Sequence, residues 1–411
     1  MRHLKSFQTI LALYLLLTGL YAGLGYLDKP QQRVVPVDSA FYYMYLRSVF
    51  FDGDIDFSNE VRRVLGEEYL TRSITATGMA GNQWSIGPAL CWTPFFLVAH
   101  GATLVARALG ADLALDGYSA LYTLSVYLAN SLYLVAGFFF LLRALRRFLS
   151  ERSALLAVVT LLLASQVTYY LWPLTAMAHN TAFFASCLLL ERFLATGVSA
   201  STVLAGALLF LTRWQAVIYL TPVLFSVAAQ GWEQLQAHRR TRDGALWSWL
   251  GRQLALAGLF ALAVFPQLLV WKVLYGSFFV VPHGGDFISL SRLRFGDVLF
   301  SLHRGLFAWH PALLAGVAGL ALLWRQGSGP TRRLALACAA AVAAQLFLVA
   351  SLQCWWAGWA FGQRFFIESL PMLAMGLGLV WERAWPRRGT RLLAVTLLVL
   401  LGVWNQLFIY Q

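Results

Sequence analysis

Charge is scarce in this sequence, at 12% of 411 residues, while hydrophobic residues reach 59%. A water-soluble globule of that length could not cover itself with so few polar groups, so an ordinary soluble enzyme is excluded. Acid is scarcer than base, with 18 Asp and Glu against 31 Lys and Arg for a net charge of +13. A balance that basic raises nucleic-acid binding as an option. The arginines, however, sit in short segments between hydrophobic blocks, where positive charge fixes orientation toward the cytoplasmic side. No nucleic-acid partner is expected. Cysteine is nearly absent too: Cys91, Cys187, Cys338 and Cys354 lie in or beside apolar segments without CxxC spacing. That pattern indicates neither a metal knuckle nor a disulfide framework, and it leaves them as packing residues.

What the chain does have is a succession of hydrophobic runs from Phe7 to Gln411, near the length that crosses a bilayer core of ~30 Å. No polar block is long enough for a separate soluble domain, so residues 1–411 are read as one integral membrane domain, all-α and polytopic. Met1-Arg-His-Leu-Lys-Ser before a long apolar run, without a convincing small-x-small cleavage site, reads as an uncleaved signal anchor. Counting every run as a crossing would put the Arg143–Arg152 segment outside, against the positive-inside rule. Ser85 to Leu109, which carries Gly87-Pro88, Pro94, His100 and Arg107, is therefore expected to be a broken interfacial or re-entrant element. Ser201 to Gln230 is expected to form two short helices meeting at Arg213. The basic segments 143–152, 238–252, 325–333 and 383–391 then all face inward, with about eleven crossings and an outer carboxy-terminus. The large outer loops are placed at about 28–117, 276–309 and 353–365.

Acid is concentrated on the first of these loops, in Asp28, Asp38, Asp52, Asp54, Asp56, Glu60, Glu67 and Glu68. Asp38 follows Pro36 and opens the run Phe41-Tyr42-Tyr43-Met44-Tyr45-Leu46, which at helical spacing could lie flat in the interface. Its carboxylate could cap that helix or serve as a general base, and the two roles are compatible. Asp52-Gly-Asp54-Ile-Asp56 resembles part of a calcium loop but lacks the distal Glu, which leaves a solvated turn or a pair of substrate ligands, Asp54 and Asp56. Arg213 and Arg364 border apolar helices, where a guanidinium is costly unless it meets an anion, a partner or the lipid headgroups. Phosphate recognition suits their planar, bidentate geometry. Further candidates for binding a sugar or phosphate are His179, His283, Asp286, His303, His310 and Trp356. Their spacing matches no zinc signature.

Asp38, Tyr42, Arg47 and Gly53-Asp54 together resemble the first-loop pattern Asp-Glu-x-x-Tyr-x-x-x-x-Arg followed by Gly-Asp of the GT-C superfamily of polytopic glycosyltransferases. The likeness is to bacterial relatives of the dolichyl-phosphate-mannose protein mannosyltransferases and of the lipid A aminoarabinose transferase. Phe361-Gly362-Gln363-Arg364 is similar to a Phe-Gly-x-Arg segment of those relatives, and the Gly206 to Arg213 stretch to a basic residue at the outer end of a short helix. The resemblance implies a GT-C fold with juxtamembrane helices in the first outer loop. Two positions depart from it. Ser39 stands where relatives carry Glu, which leaves Asp38 as the sole acid of the pair and a divalent metal requirement open, and His179 stands where many carry Asp on the second outer loop.

The implied activity is inverting transfer of a sugar from a polyprenyl-phosphate donor to a lipid, glycan or protein acceptor on the outer face of a bacterial inner membrane. Asp38 would be the base, with no required cofactor. A transporter or flippase of lipid-linked saccharides, or a non-catalytic lipid-binding relative, would also use arginines and aromatics along a membrane path.

Overall fold

Alanine- and leucine-rich runs with few breakers become helices, and in a bilayer a helix is one of the two structures that satisfy every backbone polar group. The computed structural model describes residues 2–23, 37–171, 177–242, 244–284, 287–358 and 361–410, and all regular structure among them is helical apart from two isolated β-bridges. Asp28 and Asp286 lie outside the described residues. The chain is an all-α integral membrane protein.

Helix α1 (Arg2–Gly23) leads to the first loop, which contains α2 (Val37–Arg47), α3 (Ser58–Leu65) and α4 (Glu67–Ser73). Then follow α5 (Gly87–Ala108), α6 (Ala120–Leu145), α7 (Glu151–Ala164), α8 (Ala178–Thr196), α9 (Ala200–Thr212), α10 (Thr221–Thr241) and α11 (Ala245–Tyr275). After a loop carrying the short α12 (Phe295–Phe300) and α13 (Leu306–Trp309), the bundle closes with α14 (Ala312–Gln326), α15 (Gly329–Ser351), α16 (Leu370–Ala384) and α17 (Arg388–Tyr410). Among the described residues, 6 helices are long and apolar enough to cross a membrane: α5, α6, α11, α15, α17, and α16 with the 3₁₀ turn before it. Several others are shorter, such as α7 at 14 residues.

The basic segments gather at one end of the bundle. Ser150 donates to Glu382, Arg383 to Gln326, Arg333 to Glu233 and Arg252 to the Val198 carbonyl. The buried Glu191 is shared by Arg143, Arg147 and Arg192. The break at Arg213 is also as expected: α9 stops there, Arg213 takes an extended backbone (φ −154, ψ 105), and a 3₁₀ turn (Trp214–Leu220) leads into α10.

Two expectations need correction. Ser85 to Leu109 is not broken, because α5 runs through Pro94 as one helix of 22 residues. Pro94 has no N–H for the Leu90 carbonyl, but side-chain donors serve the carbonyls on either side of it, from Thr93 to Ala89 (2.8 Å) and from Tyr133 to Cys91 (3.0 Å). Nor does α2 lie flat with an open face: Ala40 to Leu46 are buried on every side. Trp84 stacks on Phe41 at 4.2 Å, Trp92 and Phe96 meet Tyr42 and Tyr43 edge-on, and the Tyr43 hydroxyl donates to the Gly117 carbonyl.

Candidate active site

At the end of the bundle opposite the basic segments, α2, the start of α8, the break at Arg213, the end of α15 and the turn before α16 surround a cavity of about 200 Å³. Six of the residues singled out in the sequence line it: Asp38, Tyr42, His179, Arg213, His283 and Arg364. The apolar part of the lining comes from Phe287, Ile288, Leu348, Val349 and Leu352, and the half-buried Cys354 also lines the cavity.

Asp38 stands in the first turn of α2, where unpaired N–H groups and the helix dipole favour a carboxylate. Its Oδ2 accepts from Arg364 Nη1 at 2.9 Å. Arg364 opens a 3₁₀ turn (Arg364–Ser369) pinned by three neighbours. Gln345 Nε2 donates to the Phe365 carbonyl at 2.6 Å, Ser186 Oγ to the Glu368 carbonyl at 2.8 Å, and Tyr219 and Ser369 share a hydroxyl contact at 2.6 Å. The Phe361-Gly362-Gln363-Arg364 stretch has a backbone reason for its glycine. Gly362 has φ +59, and a Cβ there would lie 2.3 Å from His310 Nε2. Gln363 is fully buried and donates to the Trp355 carbonyl at 2.9 Å.

Arg213 is 6% exposed and donates from Nη1 to Glu368 Oε1 at 2.8 Å and to His179 Nδ1 at 3.0 Å. The Phe365 ring lies between the cations, 5.5 Å from the Arg213 guanidinium and 5.7 Å from that of Arg364. Each arginine is thus matched by one carboxylate, and in the buried Arg213–Glu368 pair removing one partner costs about 3–5 kcal/mol. Glu368 was missed in the sequence. The available signal was an acid inside an apolar segment four residues beyond Arg364, a position that calls for a charged partner.

The remaining polar groups are uncharged. Burial pushes the Tyr42 phenol well above its ordinary range, with Arg213 opposing. It pushes the His283 imidazole down to about 4, with Asp38 opposing and Arg213 adding to the effect. His283 stacks on Phe287 at 4.4 Å, and among the described residues its buried Nδ1 has no hydrogen-bond partner.

Other sequence candidates do not reach the cavity. Arg47 binds Asp52, Glu60 (2.9 Å) and the Asp116 carbonyl, so it ties the first loop together. Asp54 accepts from Ser48 Oγ and the Asp56 N–H, and Asp56 accepts from the N–H and hydroxyl of Ser58. Those are turn-closing bonds. His303 is exposed beside Trp355 and Trp356, and Trp356 itself packs there. His310 is buried beneath Phe361. Among the described residues no three His, Cys, Asp or Glu side chains converge to hold a metal ion.

No protein-family model and no curated protein sequence matches the chain. Among solved structures, ArnT from Cupriavidus metallidurans in the apo state is similar, with a TM-score of 0.54 and 15% identity. The match covers 95% of this chain and 63% of ArnT. The fold of this chain is accordingly ArnT-like, in keeping with the fold that the first-loop and Phe-Gly-x-Arg resemblance implied, and the chain spans less than two thirds of ArnT's length.

Proposed function

We propose that this protein is a membrane glycosyltransferase that moves a sugar, with inversion, from a polyprenyl-phosphate donor to an acceptor hydroxyl on the outer face of a bacterial inner membrane. The observation that carries the reading is the convergence of Asp38, Arg213 and Arg364 in one cavity with an apolar wall. A lipid-linked phosphate needs both halves of that lining. The prenyl chain would lie along Phe287, Ile288 and Leu348, and the phosphate would face the guanidiniums.

In the reaction, Asp38 takes the proton of the acceptor hydroxyl as its oxygen attacks the anomeric carbon from the face opposite the phosphate. The bond to the phosphate oxygen breaks with its electron pair, and Arg213 and Arg364 stabilise the charge that gathers there. A phosphate leaves without needing a proton, so one carboxylate suffices. Arg364 holds Asp38, and a bound phosphate would give that guanidinium a second anion.

Asp38→Asn tests the assignment, because the amide keeps the shape of the side chain and cannot accept the proton. Purified variant and parent are compared for turnover and for polyprenyl-phosphate binding. Loss of at least about a hundredfold in turnover with binding retained is the expected result for a general base. Parental turnover in the variant removes Asp38 from that role. A parent that binds the lipid phosphate and never turns over a sugar donor is a non-catalytic lipid-binding protein instead.

A further inference from the structure

The contacts of His179 fix its protonation state as well as its position. Arg213 Nη1 lies 3.0 Å from His179 Nδ1 and 2.8 Å from Glu368 Oε1. A guanidinium has only donors, so His179 Nδ1 is the acceptor in that contact and carries no proton. The single proton of the neutral ring then sits on Nε2. The ring is packed against Tyr170 at 5.0 Å and lines the cavity, and Nε2 takes no partner among the described residues. Both Arg213 and Arg364 lie within electrostatic reach of it. An imidazolium there would face two guanidiniums and could not accept from Arg213.

We propose that His179 is a neutral hydrogen-bond donor to the donor lipid's phosphate, presenting Nε2–H to one phosphate oxygen beside the two guanidiniums. Glu368 acts through Arg213 as a positioning residue that sets the tautomer. The inference rests on the reading of the cavity as a lipid-phosphate site, and it adds a third directional donor without a third positive charge. It also gives His179 a chemistry that an Asp at this place could not supply, since an ionised carboxylate only accepts. The competing role is structural, a histidine that only satisfies Arg213.

Two substitutions separate these roles by which ring nitrogen they imitate. In His179→Asn the short amide can still accept from Arg213 near the position of Nδ1, but no donor reaches the position of Nε2. In His179→Gln the longer amide places an N–H near Nε2. Each variant and the parent are titrated with sugar-free polyprenyl phosphate in detergent micelles. We expect Asn to weaken binding about tenfold or more, the scale of a lost hydrogen bond to a charged group, and Gln to stay within about threefold of the parent. ¹⁵N spectra of histidine-labelled parent protein give a readout that needs no ligand, with protonated Nε2 and unprotonated Nδ1 expected from pH 6 to 8, on the order of one pH unit either side of neutrality. Equal binding by parent, Asn and Gln overturns the proposal, as does an Nδ1–H tautomer or an imidazolium in the spectra. A loss confined to sugar-bearing donor also overturns the phosphate assignment. Failure of the parent to bind polyprenyl phosphate overturns the functional reading itself, and the spectra still decide the state of His179.

Discussion

Arg364 shows how a residue becomes legible one layer at a time. An arginine beside an apolar helix, preceded by Phe361-Gly362-Gln363, stood out because it required an anion. Its anion is Asp38, 326 residues away in sequence. No local pattern encodes a contact of that range, which is why the cavity had to come from the fold. Gln345 was missed for the same reason, as its partner Phe365 comes from another segment, and Glu368 carried a local signal but its partner Arg213 lies 155 residues away. Arg47, Asp54 and Asp56 stood out by composition alone, and local turn bonds consume them. For Arg364 the shape of the head group matters beyond its charge. Lys can replace the charge but not two parallel N–H bonds to phosphate. Arg364→Lys is therefore expected to raise the dissociation constant for polyprenyl phosphate more than about tenfold, or ~1.4 kcal/mol. Parental affinity in a titration of the Lys variant would take Arg364 out of phosphate binding.

At the scale of elements, helices were legible where hydrophobicity was continuous and ambiguous where prolines interrupted it. The prolines predict a break in α5, yet the helix runs on through Pro94. The extended backbone at Arg213 was legible because one polar triplet divides a long apolar stretch. Close helix contacts were not read at all. Where α14 crosses α16, a Cβ on Gly376 would lie 1.9 Å from the Gly316 carbonyl oxygen, and one on Gly319 would lie 2.0 Å from that of Gly376. Small residues let these two backbones touch, on the helix that follows the turn carrying Arg364 and Glu368. Gly376→Ala should cost about 1–3 kcal/mol through overpacking. Gly258→Ala, on α11 with nothing within 4 Å of its added Cβ, should instead be neutral or stabilising by up to about 1 kcal/mol. Thermal unfolding of both variants in detergent checks the opposite signs, and equal shifts would discount the α14–α16 contact.

Across the whole molecule, sidedness was the most legible property. The four basic segments meet at one end and the cavity lies at the other, and the same helices carry both. Along α8, His179 and Glu191 are separated by ~18 Å at 1.5 Å per residue. The cavity therefore sits well away from the arginine-rich end. The composition of the cavity was less legible, since it draws on the first loop, two helix starts and two late loops. One member of its wall makes the site self-reporting. Cys91, Cys187 and Cys338 are buried, and Cys354 is half-buried on the cavity wall. A small membrane-permeant alkylating reagent should thus modify Cys354 first and leave the other three thiols silent in the folded protein. Saturating polyprenyl phosphate should slow that modification at least about fivefold, on the order of 1 kcal/mol of occlusion. The chain thereby carries a native footprinting probe that follows occupancy by mass spectrometry without an engineered label, and a rate unchanged by the lipid would show that the lipid binds elsewhere.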